Sequence, residues 1–318
     1  MLGMQTVHEY CADRPVRAGF AAIRQCGRKG LAMRRALVIV VVLAAALTAC
    51  GRSDSSPGGG NYARVNAAHT ARELLPERYR EDGVLKVVTS VGYPPMEMYA
   101  PGTTRLTGVD PDLAHAIAGE LGLRLELSNA AFDGIVPGVQ GQRWDLALSS
   151  LSDSAKRRAA VDFVDYFRAG GVILVRKGNP EHIRDLGDLC GKSVVLAQGS
   201  SNLKIGQEQN ARCRDGMRIS QSVDAPSGLL TIDSGRTVAT IVDYPAGIDY
   251  AKTGKYELIG GQHAAGLWGI AVSKHNDELR DAVQKALGAL IADGRYATIL
   301  RRYGVEANAI HAPKVNTK

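Results

Sequence analysis

Residues 84–127 read VLKVVTSVGYPPMEMYAPGTTRLTGVDPDLAHAIAGELGLRLEL, and the succession of patterns in this stretch decides the fold class. Val84 to Val91 is rich in β-branched residues and closes on a Gly-Tyr-Pro-Pro turn, which predicts a strand with a sharp end. Asp110-Pro111 predicts a helix start, with Asp110 as N-cap and Pro111 at the first helical position. Leu113, Ile117 and Leu121 recur at helical spacing and mark its buried face, and Gly122 supplies the stop. Leu123, Leu125 and Leu127 then alternate as a strand does. Further strands are expected at 145–149, 171–176, 193–197 and 237–242. Leu279, Val283, Leu287, Leu290 and Ile291 predict a C-terminal helix, followed by Gly294 and a short helix ending near Tyr303. Such alternation implies an α/β architecture with largely parallel sheets, and no internal repeat is visible.

Upstream of this body the chain changes character. Met33-Arg34-Arg35 is a short basic segment, and Ala36 to Leu47 is an unbroken apolar run of twelve. That length suits a signal h-region and is too short to span a bilayer. It ends in Leu47-Thr48-Ala49-Cys50, which resembles the bacterial lipobox cleaved before its cysteine. Cys50 is therefore expected to carry lipid, and two or more acyl chains would make a stable membrane anchor. Met33 is the expected start, since residues 1–32 carry no targeting pattern. Residues 51–61, rich in Gly and Ser, read as a flexible tether, and the structure of residues 62–82 is left open.

The 318 residues suffice for two ordinary domains. The net charge of +7 might suggest a nucleic-acid partner. Residues 1–49, however, hold seven Lys/Arg against Glu9 and Asp13, so removing them leaves +2 and no basic block in the body. No nucleic-acid partner is expected. Of the five cysteines, Cys11 and Cys26 precede the expected start and Cys50 is the lipid site. Cys190 and Cys213 remain, an even pair in an exported chain, and read as one disulfide.

A series of short motifs then occurs in a telling order. It comprises Tyr93-Pro-Pro-Met, Gly108-Val-Asp-Pro-Asp-Leu, Phe132-Asp-Gly-Ile-Val-Pro-Gly, Trp144-Asp-Leu-Ala-Leu-Ser-Ser-Leu-Ser, Lys156-Arg157, Val161-Asp-Phe, Asp188-Leu-Cys-Gly-Lys, Gln198-Gly-Ser-Ser, Val242-Asp-Tyr-Pro-Ala and Gly269-Ile-Ala-Val-Ser-Lys. With this order and spacing, residues 84–304 resemble the family 3 extracellular solute-binding proteins, receptors of polar amino-acid ABC importers. The resemblance implies a two-lobed, type II periplasmic-binding-protein fold. Each lobe would be a mostly parallel sheet flanked by helices, and two crossing strands near 170–172 and 264–269 would join them. Lobe 1 would comprise 84–171 plus 264–318, and lobe 2 would be 172–263. The expected partners are a free polar amino acid, a permease with its ATPase, and the outer face of the bacterial cytoplasmic membrane. A monomer is expected, without cofactor or metal.

An enclosed amino acid presents a carboxylate and an ammonium, and each needs a charged partner because an unpaired buried charge is very costly. Arg157 falls where the family places its carboxylate-binding arginine, and a guanidinium fork fits that role. Next to Lys156 and Arg158 it also reads as a solvated helix face. Ser149, Ser150 and Ser152 lie in the preceding loop and can add an N–H and hydroxyls. In lobe 2, Ser200 and Ser201 stand before a helix, where anion contact and ordinary N-capping are both open. Asp243 falls where the family binds the ammonium, although Asp-Tyr-Pro would also cap a helix. In relatives, aromatics at Tyr93 and Phe132 pack over the ligand, and Phe132 is open between that role and simple core. Trp268 reads as structural. Met96 stands where an aromatic is usual and Val238 where an acid is common, and both are expected to widen or soften the pocket.

Two other functions share this scaffold. A cyclohexadienyl-dehydratase-like enzyme would need a poised acid or base, and no Ser-His-Asp order, HExxH or phosphate loop stands out. A detached sensory ligand-binding module is the other.

Overall fold

The computed structural model describes residues 70–316. The leader, Cys50 and the tether lie outside the described residues. The body opens with a turn at Ala71–Leu74 and α1 (Glu77–Asp82), whose Ala71, Leu75 and Tyr79 sink into the first hydrophobic core. Part of the segment that the sequence leaves open is thus packed structure. The Tyr79 hydroxyl donates to Asp145 at 2.7 Å and ties this start to the sheet.

Next come β1 (Val84–Thr89), the hairpin β2 (Met98–Tyr99) and β3 (Leu106–Thr107), α2 (Val109–Leu121) and β4 (Arg124–Asn129). β1 and β4 run parallel, from Val84 opposite Arg124 to Thr89 opposite Asn129. One expectation is corrected here: Asp110 does not cap α2. The helix starts at Val109 with Gly108 as N-cap at φ 128°, a conformation that favours glycine. A Cβ there would lie 2.2 Å from the Met96 carbonyl oxygen, so the close approach of the 95–96 backbone sets the helix start. Asp110 is pulled into the first turn and fully buried.

The first lobe continues through α3 (Ile135–Gln140), β5 (Leu146–Ala147) and α4 (Ala155–Arg158) to the long β6 (Val161–Arg176). The second lobe holds β7 (Ser193–Ala197), α5 (Ser201–Asn210), β8 (Arg218–Ser222), α6 (Ala225–Asp233), β9 (Ala239–Asp243) and α7 (Tyr244–Lys252). β10 (Tyr256–Ser273) returns to the first lobe, where α8 (Asp277–Ala292) and α9 (Arg295–Arg302) are the last α-helices among the described residues. Among the described residues the main sheet has eight strands in the order β4-β1-β5-β10-β6-β9-β7-β8. β4, β1 and β5 are parallel at one end, and β9, β7 and β8 at the other. β6 and β10 form the antiparallel centre.

Separate apolar clusters lie on either side of that centre. One lobe is packed around Leu85, Leu113, Ile117, Phe167, Trp268 and Leu287, with a second cluster around Ile135 and Phe163. The other is packed around Val172, Val195 and Tyr250 on one face and Ile173, Val194 and Leu196 on the other. Trp268 is buried and stacks on Phe167 at 5.0 Å between ring centroids. Between the lobes, β6–β10 pairing is irregular from Ile259 to Gly266. Gly170 is needed opposite this irregularity, since a Cβ would come within 2.7 Å of the His263 carbonyl oxygen. Its N–H donates instead to the Gln262 side chain at 2.7 Å.

Cys190 and Cys213 are joined as a disulfide, with Cα atoms 5.4 Å apart, across a loop that contains β7 and α5. On the chain-entropy account, closing a loop of this length stabilises the fold by roughly 3 kcal/mol. Cys190→Ser/Cys213→Ser should therefore lower the urea unfolding free energy by about 2–4 kcal/mol, and reducing the wild type should give the same loss. A reductant effect that persists in the double variant would refute this account.

Candidate functional site

In open parallel sheets, ligands bind beyond the carboxyl ends of the strands. Here the ends from both lobes converge. β1 delivers Ser90 to Tyr93, β5 delivers Ser149 to Ser152, β7 delivers Gly199 to Asn202, β8 delivers Ser222 and Asp224, and β9 delivers Asp243. Between them lies a cavity of about 650 Å³, solvent mouth included, whose walls come from both lobes, while Ser152, Arg157 and Gly199 stand beside it and not in its lining. Tyr93, Phe132, Ser149, Ser150, Ser200, Ser201 and Asp243 all line it.

Arg157 sits on α4, whose Ser154 cap accepts from the Arg157 N–H at 3.4 Å. Its side chain turns inward rather than along a solvated face. Nη1 donates to the Ser152 carbonyl at 3.1 Å, Nη2 donates to the Gly199 carbonyl in the other lobe at 3.1 Å, and Cζ lies 5.4 Å from the Phe132 ring centroid. Burial draws the guanidinium down to about 10, against the opposite pull of Asp243, so it remains a cation at neutral pH. Among the described residues no carboxylate stands at ion-pair distance from it. Phe132 is half-buried, packs on the lobe 1 cluster and also faces the cavity, so core and pocket share it.

Asp243 ends β9 and occupies the N-cap position of α7, yet its side chain makes no capping bond. Instead Oδ2 accepts from the Tyr93 hydroxyl of lobe 1 at 2.9 Å, and Oδ1 accepts from Asn202 Nδ2 at 3.2 Å. The Asp243 N–H also donates to the Tyr93 hydroxyl oxygen, at 2.6 Å. Burial raises the Asp243 pKa, while Tyr93, Asn202 and Arg157 favour its ionised form. Ser200 contrasts with it. Its hydroxyl accepts from the Leu203 N–H at 3.0 Å and donates to the Ala197 carbonyl at 2.7 Å, so it caps α5. Ser152 and Ser201 hydroxyls meet each other across the lobes at 3.0 Å.

Ser149 and Ser150 turn to a residue that the sequence reading missed. Ser149 Oγ donates to Glu97 Oε1 at 3.3 Å, and Ser150 Oγ donates to Glu97 Oε2 at 3.2 Å. Ser150 adopts φ 50°, a strained conformation for a residue with a Cβ. Its N–H donates to Asp110 Oδ2 at 2.8 Å, which helps hold it there. Glu97 lines the cavity and is 1% exposed. Asp224 in the cavity wall was also unforeseen, as was the Tyr250 hydroxyl behind it, which donates to the Gly92 carbonyl at 2.6 Å. Asn202 belongs to the expected loop 199–202, but its side chain turns to Asp243. The sequence offered one signal for Glu97, an acid set directly between apolar residues after the Tyr93 turn. Met96 and Val238 are corrections. Met96 is fully buried in the lobe 1 core, because the Tyr93 turn aims it inward. Val238 packs against the outer cluster of lobe 2, away from the cleft. Neither shapes the cavity.

Comparison with known proteins bears on this arrangement. Residues 85–306 match the bacterial extracellular solute-binding proteins, family 3. The arginine-binding protein ArgT of Corynebacterium glutamicum is 25% identical over 290 residues, covering 88% of this chain and 94% of that protein. An ancestral arginine-binding protein solved with glutamine bound is 32% identical at a TM-score of 0.66, covering 70% of this chain and 98% of that one. The ancestral amino-acid-binding protein AncCDT-1, described as a precursor of cyclohexadienyl dehydratase, is 26% identical at a TM-score of 0.64, covering 71% and 98%.

The two cap positions should respond differently to substitution. Ser200→Ala removes a working N-cap and should cost about 1 kcal/mol in urea denaturation. Asp243→Asn has no cap to lose and should cost clearly less. Equal losses would mean that the Asp243 carboxylate stabilises the fold as much as a working cap does, through α7 or through Tyr93 and Asn202.

Proposed function

The chain belongs to family 3 of the bacterial extracellular solute-binding proteins, and we propose that it captures a free polar amino acid for an ABC importer. The observation that carries this reading is the placement of Arg157 and Asp243. They are opposite charges on opposite lobes: Asp243 lines the cavity, Arg157 stands beside it against Phe132 and Gly199, and each is held by neutral groups. A ligand with a carboxylate and an ammonium on one carbon complements both. Its carboxylate would replace the carbonyl partners of Arg157 and gain the N–H groups at the start of α5. Its ammonium would join Tyr93 and Asn202 on Asp243. Phe132 and Tyr93 would flank the aliphatic part.

Since the ligand touches both lobes, it favours the state in which they are closed, and β6 and β10 are the connections that must flex. We take 84–171 plus 264–318 and 172–263 as the bodies that move. The names of the relatives support binding over catalysis, and AncCDT-1 is itself described as amino-acid-binding. Among the described residues no helix is long and apolar enough to cross a membrane. Attachment in this reading falls to lipid on Cys50, which would keep the receptor beside its permease.

Removing either charge leaves the ligand's counter-charge enclosed without a partner, a penalty on the order of 2–5 kcal/mol. Arg157→Ala and Asp243→Asn should each weaken binding of the best ligand among the twenty amino acids by roughly 30-fold or more in calorimetry. Circular dichroism should be unchanged. Asp243→Asn within threefold of wild type would sink the amino-acid assignment. For the anchor, Cys50→Ala should leave a soluble, uncleaved precursor, and unchanged membrane fractionation and mass would rule lipidation out.

A further inference from the structure

The head-group partners leave one acidic element of the cavity unused. Glu97 lines the wall at 1% exposure, and behind it Asp110 is fully buried. Ser150 bridges the two carboxyls, its Oγ donating to Glu97 and its N–H to Asp110, so the acids stand close enough to act on each other. Asp110 Oδ1 accepts from the Tyr166 hydroxyl at 2.7 Å, and Oδ2 accepts from the Ser150 N–H at 2.8 Å. Glu97 receives only the hydroxyls of Ser149 and Ser150.

The charged and titratable groups around the pair can be taken element by element. α2 supplies Asp110, β6 supplies Tyr166, and α7 supplies Tyr250, which feels both Glu97 and Asp224 at the head of α6. Tyr93 and Asp243 are occupied with each other, and Arg157 acts on Asp243. Among the described residues no Lys, Arg or His stands at ion-pair distance from Glu97. Two close carboxyls without a counter-cation cannot both ionise in a buried place, so they share one proton. Asp110 has the stronger donors, an N–H and a phenol, which settles the negative charge there and the proton on Glu97. Burial and the Asp110 charge accordingly hold the Glu97 carboxyl well above its usual range.

We propose that Glu97 receives the ligand's side chain, and that a cationic side chain displaces its proton, so that capture of a basic amino acid is coupled to proton release. The inference rests on the amino-acid reading of the Arg157 and Asp243 end of the cavity. Glu97 and Asp224 together make another acidic part of the wall. In the exchange, neutral Glu97 loses its proton to bulk buffer, and the resulting carboxylate pairs with the ligand's guanidinium or ammonium group. Asp110 keeps its charge and its two donors throughout. A neutral side chain gains a hydrogen bond from the carboxyl and leaves the proton in place.

The sign of the pH dependence follows. The free protein binds this proton and the basic-ligand complex does not, so raising the pH favours the complex. Affinity for a basic amino acid should climb on the order of tenfold per pH unit while the free Glu97 stays protonated. Affinity for a neutral isostere should stay flat.

Calorimetry of the exported protein with L-arginine and its uncharged isostere L-citrulline, each in phosphate and in Tris near pH 7, tests the coupling. Buffers of different ionisation heat should report close to one proton released per arginine and close to none per citrulline. Glu97→Gln mimics the protonated acid, and it should abolish the release and weaken arginine at least tenfold. Should that variant fail to fold, the wild-type buffer comparison still decides. Arginine binding without proton release overturns the inference. So does a protein that binds only neutral members of the twenty amino acids, although the amino-acid reading then stands. A protein that binds none of them brings down both.

Discussion

The antiparallel pairing of β6 with β10 is the interaction on which the rest of the molecule depends. Both strands are long enough to serve two cores. The half of β6 from Val161 to Phe167 pairs with Trp268 to Ser273 in one lobe, and its other half pairs with Tyr256 to Ile259 in the second. Each lobe therefore builds its sheet onto the same two segments, β5 pairing with β10 in one and β9 with β6 in the other. The parallel strands added on either side point their carboxyl ends into the space between the lobes. A cleft follows from that topology before any ligand chemistry is considered.

The same crossing is where the ladder is least regular. Between Ile259 and Gly266 the register shifts twice, and the facing segment of β6 carries Gly170 and Gly171. The cores on either side are close-packed around large buried groups such as Trp268, Phe163 and Tyr166, so they resist deformation. Any hinge between the lobes falls on this short stretch of backbone with few side chains.

The electrostatics of the cleft share a theme. Arg157 is held by carbonyls, and Asp243 by a phenol and an amide, so each charge is positioned without being neutralised. A charge fixed by dipoles keeps its attraction for a ligand, whereas one engaged in an ion pair must give up that pair first. Glu97 and Asp110 show the opposite case, two acids brought together in a buried wall, where burial raises both carboxyls above their usual range. Ser150 carries a backbone cost at this point and repays it by donating to both acids.

Much of this was legible in the chain. The strand and helix order followed from periodicity and from Pro and Gly punctuation, because local hydrophobic patterns dictate which elements can form. The order of motifs from Tyr93 to Gly269 indicated the family, and with it Arg157 and Asp243 as residues to watch. The even pair Cys190 and Cys213 gave the disulfide. Tertiary structure decided what local pattern leaves ambiguous, namely where a given polar side chain points. Asp110 and Asp243 each stand at a helix start in the sequence, and either would serve as a cap. Neither does, because Gly108 begins α2 against the 95–96 backbone and Tyr93 from the other lobe claims the Asp243 carboxylate. Ser200 has the same local signature and does cap. Glu97 and Met96 are neighbours in the chain, but one faces the cavity and the other the core, and the meeting of Glu97 with Asp110 depends on packing between segments remote in sequence. Hydrogen-bond partners drawn from another lobe leave no periodic trace, and so these assignments belonged to the fold alone.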